Sequence, residues 1–143
     1  MPYTVSRDDA PSPGDVKILT AGLAAHRQEA VGSAWIKTIA FFLRGDSDEI
    51  IGGVYGNFGS FNWLYVDTLW VSPAARGKGH GRVLMDHIES EAAKNDCHSA
   101  FLSTFSFQAP EFYKKLGYEV FGELEAFPAG YQRIFLRKHL KRA

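Results

Sequence analysis

LWVSPAARGKGHGRVLMDHIESEAAK, residues 69–94, reads as three things in succession. An apolar strand ends at Val71 and Pro73 stops it. A loop carrying Gly77, Gly79 and Gly81 then opens into a helical pattern in which Gly81, Leu84, Met85, Ile88 and Ala92 share one face. The glycines remove side chains where backbone N–H groups must come close to a ligand. The helix start adds unpaired donors and roughly half a positive charge. A turn of this kind is built to hold an anion.

What the motif lacks narrows the anion. A Walker loop needs Lys followed by Ser or Thr after its last Gly, whereas Gly81 is followed by Arg82 and Val83. A dinucleotide fingerprint starting at Gly77 would require Gly where Arg82 stands. The pattern that fits is R-x-x-G-x-G, on Arg76, Gly79 and Gly81, after a strand ending V-x-P. In this the chain resembles the GCN5-related N-acetyltransferase (GNAT) family, whose acyl-CoA motif has that form. A second stretch, APEFYKKLGY with Tyr113, Gly117 and Tyr118, is similar to another signature of the family, a short helix with Tyr followed four residues later by Gly and an aromatic.

The rest of the chain bounds the reading. Its 143 residues suffice for one domain with a real core. Sixteen basic and sixteen acidic residues balance, so no global field favours nucleic acid or an anionic membrane, and a small-molecule partner is expected. Cys97 is the only cysteine, which excludes an internal disulfide and leaves too few thiols for a structural zinc site; it is expected to be a buried free thiol. The polar, proline-bearing start and the absence of a membrane-length apolar run make the cytoplasm the expected location.

Alternation predicts a short strand over residues 3–7, and Asp15 is read as the cap of a helix reaching about Gln28. Strands are predicted over 34–43, 49–58 and 61–71, an antiparallel meander with short turns. A strand over 98–104 follows the glycine-loop helix and is expected parallel to 61–71 through a right-handed crossover. A helix over 110–116 and strands over 118–127 and 131–138 complete the chain. This succession is the GNAT arrangement. The resemblance therefore implies an α/β (α+β) fold, a single domain over 1–143 with a mixed, mostly antiparallel central sheet flanked by helices.

The resemblance also implies roles. Acetyl-CoA would be the acyl donor, with its pantetheine arm paired to the strand end at Leu69, Trp70 and Val71. Its phosphates would lie on the loop of Arg76, Gly77, Lys78, Gly79, His80, Gly81 and Arg82. Tyr113 corresponds to the family's Tyr beside the sulfur; a phenol of ordinary pKa about 10 stays protonated at neutral pH and can donate there. Seven residues earlier the family often has Asn, contacting pantetheine, and this chain has Ser106, with Gln108 as a substitute donor.

The acceptor amine must lose a proton before it attacks. Asp67, read as alternating with Leu69 and Val71, is the candidate base; as a carboxylate it equally suits a structural role. Glu123 and Glu125 are alternatives, and Tyr65 stands where some relatives carry Glu. His26 or Glu29 could touch substrate or be solvated. Aromatics including Phe105, Phe107, Phe127 and Tyr131 divide between core, dimer contact and a pocket for a cationic amine. The function implied is N-acetyl transfer to a primary amine by direct transfer in a ternary complex, with no covalent carrier and no metal. The alternative is a module that binds or senses coenzyme A without catalysis. Exposed strands and aromatic surface invite pairing into a homodimer.

Overall fold

The structure, a computed structural model, describes residues 2–141. It divides into two compact units, one up to Ala34 and one from Trp35 onward. The first unit holds helix α1, Pro13–Val31. Its cap is Ser12, whose Oγ accepts from the Asp15 N–H at 3.1 Å, so the helix starts earlier than an Asp15 cap implies. Pro13 explains this: at the first helical position its fixed φ is already right and its missing N–H costs nothing. Gly32, at φ 78°, ends the helix by donating to the Gln28 carbonyl. The predicted strand over residues 3–7 does not form. Backbone groups become a strand only where a ladder receives them, and those residues have no backbone partner among the described residues. His26 and Glu29 both lie on α1.

The second unit is a six-stranded sheet with helices between its strands: β1 Ile36–Arg44, β2 Ile50–Gly59, β3 Trp63–Val71, α2 His80–Lys94, β4 Ser99–Phe105, α3 Pro110–Lys115, β5 Glu119–Leu124 and β6 Arg133–His139. The spatial order is β1-β2-β3-β4-β6-β5. Every pairing is antiparallel except β3 with β4, as the crossover through α2 requires. That parallel pairing is short, joining Trp63, Leu64 and Tyr65 to Ser99, Ala100 and Phe101. Beyond it the two strands part and leave a gap in the middle of the sheet.

Helix α2 covers one sheet face. Leu84, Met85, Ile88 and Ala92, all on the predicted apolar stripe, pack against Val54, Phe58, Leu64, Val66, Leu102 and Leu136. Met85 and Ile88 are fully buried, which stabilises by roughly 2 kcal/mol each. Gly56 lets both β3 and α2 come close, since a Cβ there would stand 2.2 Å from the Tyr65 carbonyl oxygen and 3.3 Å from Ile88 Cδ1. Next to it the ladder slips: Tyr55 faces Thr68 and Gly56 faces Val66, which leaves Asp67 as the extra residue of a β-bulge.

The bulge corrects one expectation. Leu64 and Val66 point into the core, and after the extra residue Leu69 and Val71 do so again. Asp67 therefore does not alternate with Leu69 and Val71; it shares the opposite face with Trp63 and Tyr65. Period-two reading fails wherever a strand takes in one more residue.

Candidate active site

A cleft of about 770 Å³ occupies the gap between β3 and β4. One wall is the end of β3, Leu69, Trp70 and Val71, and the floor is the glycine loop. Gly77 and Gly79 sit at φ 76° and 84°, the left-handed region that costs a side-chain-bearing residue roughly 1–2 kcal/mol. A Cβ at either would meet nothing within 4 Å, so the space over them is open.

Gly79 caps α2 without a side chain, no acidic residue lies in the first turn, and the first helical bond runs from the Val83 N–H to the Gly79 carbonyl. The N–H groups ahead of Val83 thus have no intrahelical acceptor, and the dipole's positive end faces the cleft. Gly81 has a different reason to be glycine. Its missing Cβ would lie 3.1 Å from the Phe112 ring, so the absence of a side chain lets α3 dock on the start of α2. The two sequence signatures touch at this point.

Arg76 and Arg82 line the cleft, as do Gly77, Gly79, His80 and Gly81. Arg76 spends its Nε–H on the Val71 carbonyl at 2.8 Å, which fixes the loop to the strand end and leaves its terminal nitrogens for a ligand. Lys78 is exposed and is not among the lining residues.

The opposite wall comes from the end of β4 and from α3: Thr104, Phe107, Gln108, Phe112 and Tyr113. Tyr113 is half-buried, and its hydroxyl has no hydrogen-bond partner among the described residues. Burial pushes its phenol up to about 12. Behind it stands Tyr118, with ring centroids 6.0 Å apart. The Tyr118 hydroxyl donates to Glu89 Oε2 at 2.8 Å, and the Lys138 ammonium donates to Glu89 Oε1 at 2.6 Å. Desolvation and the Glu89 carboxylate hold the Tyr118 phenol far above its ordinary pKa. This buried trio ties α2 to β6 directly beneath the Tyr113 wall. Sequence reading passed over it, although Glu89 stands on the apolar stripe four residues after Met85.

Two proposed residues lie elsewhere. Ser106 is not among the cleft residues; it exchanges two bonds with Gln132, its N–H donating to the carbonyl at 2.8 Å and its Oγ accepting from the N–H at 2.9 Å. Gln108 lines the cleft instead. Its Oε1 accepts from the Phe105 N–H and the Thr104 hydroxyl, both at 3.2 Å, which leaves the amide N–H donors free. Asp67 is exposed, accepts from the Thr68 hydroxyl at 2.8 Å and does not line the cleft. Nor do Glu123 and Glu125. Cys97 is buried away from the cleft, with its thiol pKa raised by desolvation and by Asp96, which suits an inert thiol. Among the described residues no His, Cys, Asp and Glu group could hold a metal ion, and no helix is long and apolar enough to cross a membrane.

Comparison with known proteins agrees with this geometry. Residues 17–118 match the model of the acetyltransferase (GNAT) family. The blasticidin-S acetyltransferase of Streptomyces morookaense is 32% identical over 82% of this chain and 86% of its own length. The crystal structure of an acetyltransferase from Bacillus cereus superposes with a TM-score of 0.86 at 29% identity, covering 94% of this chain and 98% of that one. At 20% identity, where only the fold is shared, a Bacillus anthracis acetyltransferase solved in complex with acetyl coenzyme A gives a TM-score of 0.64 over 73% of this chain and 63% of that one. A cleft floored by an open glycine loop and walled by Tyr113, within a chain so matched, is explained by one conclusion: this protein is an acetyltransferase of the GNAT family.

Proposed function

We propose that the protein transfers the acetyl group of acetyl-CoA directly to a primary amine of a small molecule, both substrates being bound together. The observation that carries this reading is the cleft itself, whose floor offers free backbone donors and two guanidiniums while its far wall offers an unpartnered phenol. The fit to an extended, phosphate-bearing thioester is good: an anion suits the start of α2 with Arg76 and Arg82, and an amide-bearing arm suits Gln108 and the backbone of β3. The bound thioester would supply an activated acetyl group. The Streptomyces relative is named for blasticidin S, which supports a small-molecule acceptor.

Tyr113 acts on the departing sulfur. A phenol held near 12 would give its proton outright to a simple thiolate of pKa about 8.5 only at a cost of roughly 5 kcal/mol. Its role is therefore to donate a hydrogen bond as negative charge develops on sulfur, a contribution larger in the transition state than in the ground state. Asp67, on the face the bulge turns away from the core, takes the amine's proton through water. Exchanging Asp67 for Asn is expected to flatten the acidic limb of the pH dependence of kcat/KM; an unchanged profile would remove Asp67 from the reaction.

Calorimetry with acetyl-CoA tests the whole reading without knowledge of the acceptor. Micromolar binding is expected, weakened roughly tenfold or more in Gly79→Val, because φ 84° disfavours a β-branched residue and its side chain fills the open space over the loop. Thermal unfolding of the variant should confirm that it is folded. No binding by the folded parent protein would overturn the proposal.

A further inference from the structure

On the sheet face turned away from α2 lies a second, smaller cavity of about 210 Å³, lined by Tyr65, Phe101, Leu102, Ser103, Arg133 and Phe135. It begins at Tyr65 and Phe101, the last paired residues of β3 and β4, and so stands at the root of the gap whose wider end is the cleft. On β4 the two spaces lie to either side of the strand: Ser103 lines the cavity and Thr104, facing the other way, the cleft.

Arg133 is the unusual member. Its Nε–H donates to Ser103 Oγ at 3.0 Å. Its guanidinium carbon stands 5.9, 5.5 and 5.2 Å from the ring centroids of Phe105, Phe127 and Phe135. Three rings and a hydroxyl thus hold a half-buried cation, yet among the described residues no carboxylate pairs with it. The contrast lies four residues along the same strand, where Arg137 is bridged to Glu119 at 3.2 Å. Ring faces compensate a cation only in part, and the terminal N–H groups of Arg133 remain unspent donors in a fixed fork.

We infer that Arg133 binds a carboxylate of the acceptor, so that the acceptor class is small amines that also carry a carboxylate, with the amine directed through the strand gap toward the cleft. This rests on the acetyltransferase reading above. A planar carboxylate matches the fork through two parallel N–H···O bonds, and the Ser103 hydroxyl, having accepted from Arg133, keeps its own proton to donate. A phosphate dianion fits less well, because Arg137, the other guanidinium of that strand, is already neutralised by Glu119. Asp67, on the same face, attracts the ammonium end.

The test begins with the isolated protein. The Arg133 Nε–H resonance is followed by nitrogen-15 NMR during titration with β-alanine and, separately, with β-alaninamide. A saturable shift with the acid and none with the amide is expected; no shift with β-alanine up to tens of millimolar, or equal shifts with both, overturns the inference. Thiol release from acetyl-CoA is then compared across matched pairs of amino acids and their amides. The parent enzyme should prefer the acids roughly 10- to 100-fold in kcat/KM. Arg133→Gln should abolish that preference through KM, with acetyl-CoA affinity unchanged. Arg133→Lys keeps charge without the fork, guards against a folding defect in the Gln variant, and should retain only part of the preference. A preference that survives in both folded variants refutes the inference while leaving the acetyltransferase reading intact. Failure to bind acetyl-CoA would instead remove that reading, and the NMR titration would still decide the role of Arg133.

Discussion

Replacing Tyr113 by Phe is expected to lower kcat about 100-fold while acetyl-CoA binds as before, the size typical of one hydrogen-bond donor aimed at developing negative charge. The substitution removes a single hydroxyl. The ring keeps its edge contact with Phe112 at 5.1 Å and with Tyr118 at 6.0 Å, so the wall of the cleft survives. Because burial holds the phenol near 12, parent kcat should pass pH 10 without the decline that an ordinary tyrosine would impose. Steady-state kinetics from neutral to pH 10.5 or so, with calorimetry on both proteins, separates the outcomes. Unchanged kcat in Tyr113→Phe would exclude the hydroxyl from the reaction, and a parallel loss of coenzyme affinity would mark it as a binding group.

Truncating Glu89 to Ala should destabilise the fold by about 3–5 kcal/mol, the effect of leaving one half of a buried ion pair behind. The Glu89 and Lys138 side chains are 11% and 22% exposed, so water replaces the lost carboxylate poorly. The buried Tyr118 hydroxyl loses its acceptor in the same step. In a domain of this size that corresponds to a fall in Tm on the order of 10 °C. The double variant Glu89→Leu with Lys138→Met should recover much of the loss, since it removes both charges and refills the space with apolar atoms. Urea unfolding of the three proteins measures this. A Glu89→Ala protein as stable as the parent would show that the trio adds nothing to stability. Its position beneath Tyr118 and Tyr113 also predicts that the single variant loses activity beyond its loss of folded protein.

Local chemistry made much of this protein legible from sequence. The apolar stripe of α2, the glycine turn before it and the parallel crossover follow from periodicity, from residues that tolerate φ near 80° and from the handedness of such connections. Tyr113 and most of the loop residues, singled out by their resemblance to the GNAT signatures, do meet around one cleft.

Other features arise only when distant segments meet. The strand expected over residues 3–7 has suitable alternation and no ladder to join. Ser106 has a useful hydroxyl, but the neighbouring backbone of Gln132 takes it, and Gln108 two residues on turns into the cleft. Asp67 lost its place beside Leu69 and Val71 because one additional residue in β3 reverses every side chain after it, a change no two-residue period reveals. Gly81 is glycine because a ring thirty-one positions away needs the room. The Glu89, Lys138 and Tyr118 trio and the guanidinium of Arg133, without a carboxylate among the described residues, belong to the same class. Sequence alone determined which backbone shapes and faces each segment prefers, since those depend on neighbours three or four residues apart. Which polar groups are satisfied within the protein and which remain free for a substrate emerges from the folded arrangement, because hydrogen bonds and ion pairs are settled by proximity in space.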